Sequence, residues 1–184
     1  MRELLRLHPD FVCPAVSRIV VDVERSRAGT LLLRYVVTGS IAQLRVPPVT
    51  VSACADGLWQ HTCFEAFIRA GAASAYYEFN FAPSTQWAAY RFAGYRNGMQ
   101  ALTEIAPPVI ETRSDAECCA VEAFVELAPL SDLPREADWQ LGLCAVIEEA
   151  GGRKSYWALA HPAGNPDFHH SDCFALELPK ACRA

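Results

Sequence analysis

Cys63-Phe64-Glu65-Ala66-Phe67-Ile68-Arg69-Ala70, Ala75-Tyr76-Tyr77-Glu78-Phe79-Asn80-Phe81 and Gln86-Trp87-Ala88-Ala89-Tyr90-Arg91-Phe92 are three short runs separated by small and turn-forming residues. Each is rich in aromatic and apolar side chains, as a strand is, and none has the 3.6-residue recurrence of a helix face. Tight hairpins around Ala72-Ala73 and Pro83-Ser84 would join them into a meander. Because side chains alternate between faces with a period of two, the pairing then sorts every residue. One face carries Phe64, Ala66, Ile68, Tyr77, Phe79, Phe81, Ala88, Tyr90 and Phe92, which is nearly all apolar and is assigned to the core. The other carries Glu65, Phe67, Arg69, Tyr76, Glu78, Asn80, Trp87, Ala89 and Arg91. In this register Glu65 faces Asn80, and Asn80 faces Trp87.

The same periodicity extends along the chain. Strands are expected at Ser17–Glu24, Thr30–Val37, Ala42–Val46, His61–Ala70, Ala75–Phe81, Gln86–Phe92, Val109–Arg113, Cys118–Leu127, Trp139–Ile147, Ser155–Ala160 and Cys173–Leu178. Gly29, Gly39, Gly71, Asn97-Gly98, Gly151-Gly152 and Gly164-Asn165 punctuate them. Only Pro129–Ala137 reads as a brief helical turn. About eleven short strands without intervening helices imply an all-β, antiparallel β-sandwich of immunoglobulin-like or jelly-roll type. At 184 residues the chain suits one domain, 1–184, with a sizeable core.

Composition narrows the function. With 52% hydrophobic and 20% charged residues the chain is globular. A net charge of −5 and scattered Lys and Arg argue against nucleic acid, which needs a basic patch. No apolar run is long enough to span a membrane. Charge and proline interrupt Met1–Pro9, so no signal-peptide core is expected and the expected location is cytoplasmic. The eight cysteines include no C-x-x-C pair, and reduced, structural cysteines are expected. Adjacent Cys118 and Cys119 should point to opposite faces of a strand.

The polar face mixes carboxylate, amide, guanidinium and aromatic rings, the combination that binds sugars. Hydroxyls take planar hydrogen-bonding partners, while C–H faces stack on rings. The stretch Trp59-Gln60-His61-Thr62-Cys63-Phe64-Glu65 resembles the signature strand of family 9 carbohydrate-binding modules and their DOMON-like relatives, with a Trp followed six positions later by an acidic residue. Tyr76-Tyr77-Glu78-Phe79-Asn80-Phe81-Ala82-Pro83-Ser84 is similar to their next strand, and Asn165-Pro166-Asp167-Phe168 to their Asn-x-x-Trp loop. The resemblance implies a β-sandwich that clamps a mono- or oligosaccharide between aromatic rings without catalysis. Trp59 and Phe168 would form the slot, Glu65 and Asn165 would hydrogen-bond hydroxyls, and Arg91 would be the basic ligand residue. Phe168 replaces the family's Trp. Tyr76, Asn80 and Trp87 complete the expected ligand-binding face.

Two readings from other classes stand beside this one. The polar-aromatic face could dock a protein partner, or Glu65 and Glu78, diagonal at about 7–8 Å, could act as a glycosidase pair. No cofactor is expected. Haem is disfavoured because Met99, the one internal methionine, lies in a turn. Calcium could draw only on Asp167, Asp172 and carbonyls. A metal at His161, His169 and Asp172 would require a converging loop.

Overall fold

The computed structural model describes residues 1–26, 29–102 and 105–180. Twelve antiparallel strands follow one another: β1 Arg2–Leu7, β2 Val16–Arg25, β3 Thr30–Gly39, β4 Cys63–Ala70, β5 Tyr76–Phe81, β6 Trp87–Phe92, β7 Gln100–Ala101, β8 Val109–Ser114, β9 Cys118–Glu126, β10 Trp139–Glu148, β11 Lys154–Ala158 and β12 Leu176–Leu178. Their order is β7-β6-β5-β4-β10-β11-β1-β2-β3-β9-β8, with β12 also pairing β10. The sheet curls into two layers joined through β1. Its first half pairs β2 (Leu5 opposite Ile19) and its end pairs β11 (Leu7 opposite Trp157).

The two layers follow from two sequence patterns. β2, β3 and β9 alternate cleanly: Ile19, Val21, Val23, Leu31, Leu33, Tyr35, Val37, Cys119, Val121, Ala123 and Val125 are buried, while Arg18, Arg34 and Glu126 are exposed. That is the pattern of a layer with one wet face. β5 is buried at all six positions and β10 at nine of ten, so their layer is covered on both faces. Its inner face completes the main core. Its outer face carries a second cluster of Phe67, Tyr76, Ala88, Tyr90, Phe92, Cys144, Val146 and Ala158, covered by Phe168 and Phe174 from the 161–175 segment. The candidate site lies at this second cluster.

The β4–β5 pairing is as expected, with Glu65 opposite Asn80 and Phe64 and Glu65 on their assigned faces. The register of β6 is corrected. Asn80 lies opposite Ala88, and Phe81 opposite Trp87. The Ala82 N–H donates to the Gln86 carbonyl at 2.9 Å, and Thr85 adopts φ 73°, so the loop is Pro83-Ser84-Thr85 rather than two residues. One added loop residue moves the whole strand to the opposite parity. Trp87 and Ala89 therefore enter the main core, and Tyr90 and Phe92 join the outer face.

Further differences concern single elements. Ala42–Val46 is not a strand. A 3₁₀ turn spans Ile41–Gln43, and only Leu44 forms a bridge, to Glu149. Cys173–Leu178 shortens to β12, preceded by a 3₁₀ turn at Ser171–Cys173. Pro129–Ala137 makes separate turns instead of a helix. β1 and β7 were not anticipated. Cys119 points inward and Cys118 outward. The seven described cysteines are free thiols, and Cys182 lies outside the described residues. No helix among the described residues is long and apolar enough to cross a membrane.

Candidate functional site

A cleft of about 440 Å³ opens over the outer face of β4, β5, β6, β10 and β11. The segment preceding β4 supplies one part of its lining. Ala53 and Ala55 hydrogen-bond the backbone of Trp87 (3.1 and 2.9 Å), which pins this segment beside β6. Gly57, at φ 73°, then starts a 3₁₀ turn at Leu58–Gln60 that presents Trp59 to the cleft. Its indole is 53% exposed, in a protein whose other three tryptophans are buried. Asp56 locks the turn by accepting hydrogen bonds from the Gly57 N–H (2.8 Å) and the Tyr90 hydroxyl. These bonds hold its carboxyl below the usual range.

The 161–175 segment supplies another part. Phe168 packs against Tyr156 (ring centroids 6.2 Å apart), and both line the cleft with Trp59. This segment can approach because Gly142 lies beneath it. A Cβ at that position would lie 3.0 Å from the Cys173 carbonyl oxygen.

Glu65 and Glu78 provide the buried polar lining, at 3% and 6% exposure. Glu78 faces Phe67 and Asn80 faces Glu65, so the two acids are diagonal neighbours. Asn80 is fully buried and donates to Glu78 Oε1 at 2.7 Å. Glu65 Oε2 lies 3.9 Å from the Cys144 thiol, whereas Oε1 has no partner. The Glu65 backbone is held from the opposite layer by the Tyr35 hydroxyl, which donates to its carbonyl at 2.8 Å. Burial, with the charge of Glu78 added, pushes the Glu65 carboxyl well above the ordinary range. Burial also raises Glu78, against the opposing effect of Asn80 and Arg96.

Arg96 lines the cleft from the turn after β6, where Gly94 and Asn97 exchange backbone hydrogen bonds. It adopts φ 50°, an unfavourable conformation for a residue with a Cβ. Three contacts hold it there. Its N–H donates to the Tyr76 hydroxyl at 3.2 Å, and its guanidinium donates to Asp167 Oδ1 at 2.8 and 3.2 Å. The Tyr76 hydroxyl also contacts His169 Nδ1 at 2.8 Å, and His169 Nε2 lies 3.8 Å from Glu78 Oε2. Burial, with Arg96 nearby, pushes His169 down to about 4, so it is neutral at pH 7.

Of the expected ligand residues, Trp59, Glu65 and Phe168 line this cleft together. Asn165 lies in an adjoining hollow, which shares Arg96 and Pro166 with it. Tyr76 and Asn80 sit behind the lining, where they orient His169, Arg96 and Glu78. Arg91 and Trp87 belong elsewhere, because β6 has the opposite parity. Arg91 donates to Asp132 at 2.7 Å beside Tyr77, and Trp87 is in the main core. The sequence reading missed Asp56, Arg96, Lys154 and Tyr156. The Asn97-Gly98 turn signal could have pointed to Arg96, whereas nothing local marks Lys154.

His161, His169 and Asp172 do not converge. His161 donates to the Arg6 carbonyl, His169 is packed beside Tyr76, and Asp172 contacts His170. Among the described residues no group of three His, Cys, Asp or Glu could hold a metal ion.

No family model and no curated protein matches the chain. Solved structures do. One is described as "a putative carbohydrate-binding protein" from Bacteroides uniformis ATCC 8492, at a TM-score of 0.69 and 10% identity, covering 94% of this chain and 83% of that one. Two are family 9 carbohydrate-binding modules from Caldicellulosiruptor kristjanssonii. The one in complex with glucose has a TM-score of 0.53 and 14% identity, covering 98% of this chain and 86% of that one. The one with cellotriose has a TM-score of 0.51 and 13% identity, covering 90% and 75%. Likeness at such low identity establishes a shared fold, the β-sandwich of these modules.

Proposed function

We propose that this chain is a non-catalytic carbohydrate-binding module whose ligand, a mono- or oligosaccharide, occupies the cleft lined by Trp59 and Phe168. The observation that carries this reading is the exposed indole of Trp59 in a cleft that it lines together with the rings of Tyr156 and Phe168 and with polar side chains. A pyranose suits that lining. Its C–H face covers an aromatic ring, and its hydroxyls hydrogen-bond polar groups. The shared fold with the sugar-bound modules supports the same reading.

Catalysis by Glu65 and Glu78 is disfavoured by their environments. A glycosidase pair works by holding one carboxyl protonated and the other ionised. Here burial raises both carboxyls, so their environments do not divide them into an acid and a base.

Isothermal titration with glucose and cellotriose tests the proposal. Saturable binding is expected, with Trp59→Ala weakening it at least about tenfold, the equivalent of one ring stack. The melting temperature should barely change, because Trp59 is half exposed. Equal affinity in wild type and variant would remove Trp59 from the site, and absence of binding to any sugar would overturn the function.

A further inference from the structure

The cleft contains a cation that the fold leaves uncommitted. Lys154 opens β11 and lies directly across from Glu148 on β10. That glutamate is already occupied at both oxygens: Oε1 accepts from Arg45 at 2.7 Å, and Oε2 contacts His61 Nδ1 at 2.7 Å. Lys154 makes no ion pair among the described residues, yet it lines the same cleft as Trp59, Tyr156 and Phe168. The other cleft cation, Arg96, is tied to Asp167.

The buried acids do not answer this charge. Among the described residues no arginine or lysine lies within ion-pair distance of Glu65 or Glu78, and the imidazole beside Glu78 is neutral at pH 7. Two carboxyls this close and this buried cannot both be ionised cheaply. Burial accordingly raises both carboxyls. The third acid of the cleft, Asp56, accepts from Tyr90 and Gly57, both on Oδ1. Among the described residues Lys154 is therefore the cleft cation left for a ligand.

We infer that the cleft prefers a sugar bearing a carboxylate, a uronic acid, and that Lys154 is the residue that sets this preference by pairing with it. The inference rests on the carbohydrate-binding reading above and names the ligand class of that site. Glucose and glucuronate share a ring and differ at C6, so their comparison isolates the carboxylate.

The experiment is titration of the full chain with D-glucuronate and D-glucose, at low and moderate salt. Glucuronate should bind about tenfold more tightly, the increment of one charge-assisted hydrogen bond. The advantage should shrink as salt rises. Lys154→Met should bring the affinity ratio towards one, and Lys154→Arg should retain most of it; melting curves of both variants verify folding. Equal binding of the two sugars by the wild type would overturn the inference and leave the carbohydrate-binding reading standing. A preference that survives Lys154→Met would overturn the role of Lys154, and failure of both sugars and of cellotriose to bind would overturn both readings.

Discussion

Glu65 is 3% exposed, has one oxygen without a partner, and sits diagonal to a second buried acid. A carboxyl in that position destabilises the fold when ionised. The sign follows from linkage. The folded state holds the proton more tightly than the unfolded chain, so stability is greatest below the ordinary glutamate value of about 4.3 and is lost as pH rises towards the folded value. Glu65→Gln removes the ionisation while retaining the shape. Its melting temperature relative to wild type should increase from about pH 4.3 upwards and then level off. A pH-independent difference between the two proteins would show that Glu65 is ionised in the fold. His169 acts in the opposite sense. Held near 4, it withdraws stability as pH falls below about 6.5, a change common to both proteins that cancels in the comparison.

At the scale of elements, the site depends on how closely the 161–175 segment lies on β10. Gly142 is opposite Phe67 and has the Cys173 carbonyl above it, so this strand position has no room for a side chain. Gly142→Val should push the segment off the sheet at a cost of about 1–3 kcal/mol. Because Phe168 rides on that segment, sugar affinity should fall more than stability. Hydrogen exchange confined to residues 168–174, measured with calorimetry, separates this from global loosening. Exchange unchanged there would show that the strand absorbs the side chain by itself. The β6 hairpin makes a related point. Thr85 at φ 73° donates its hydroxyl to the Thr50 carbonyl at 2.9 Å, which stabilises a three-residue loop that no Gly or Asn announces. Trp87 and Arg91 thereby exchange faces with Tyr90 and Phe92.

At the scale of the molecule, β1 joins the layers, and its one fully inward side chain is Leu5, at 2% exposure. The charges on either side, Arg2, Glu3 and Arg6, obscure the strand in sequence. In the structure they lie on its solvent side or along its edge, and Arg2 pairs with Asp22 at 2.7 Å. Leu5→Ala should cost about 2–5 kcal/mol in denaturant unfolding, since a cavity opens where the two layers meet. A loss below about 1 kcal/mol would show that β1 is peripheral.

The sequence by itself determined the β-sandwich, most strand positions, the pairing of β4 with β5, and the placing of Trp59, Glu65 and Phe168 at one site. The strands and their pairing follow from alternation and from spacing within a strand, which are local properties of the chain, whereas the joining of Trp59 and Phe168 with Glu65 was implied only by the resemblance to family 9 modules. Tertiary structure decided the parity of β6, the burial of both faces of β4, β5 and β10, and the entry of Arg96 and Lys154 into the cleft. Each of these depends on a long-range fact that no window of residues contains. One is a loop's residue count stabilised by a contact with Thr50, another is a segment returning over Gly142, and the others are the contacts of Arg96 with Tyr76 and Asp167 and the occupation of Glu148 by Arg45 and His61.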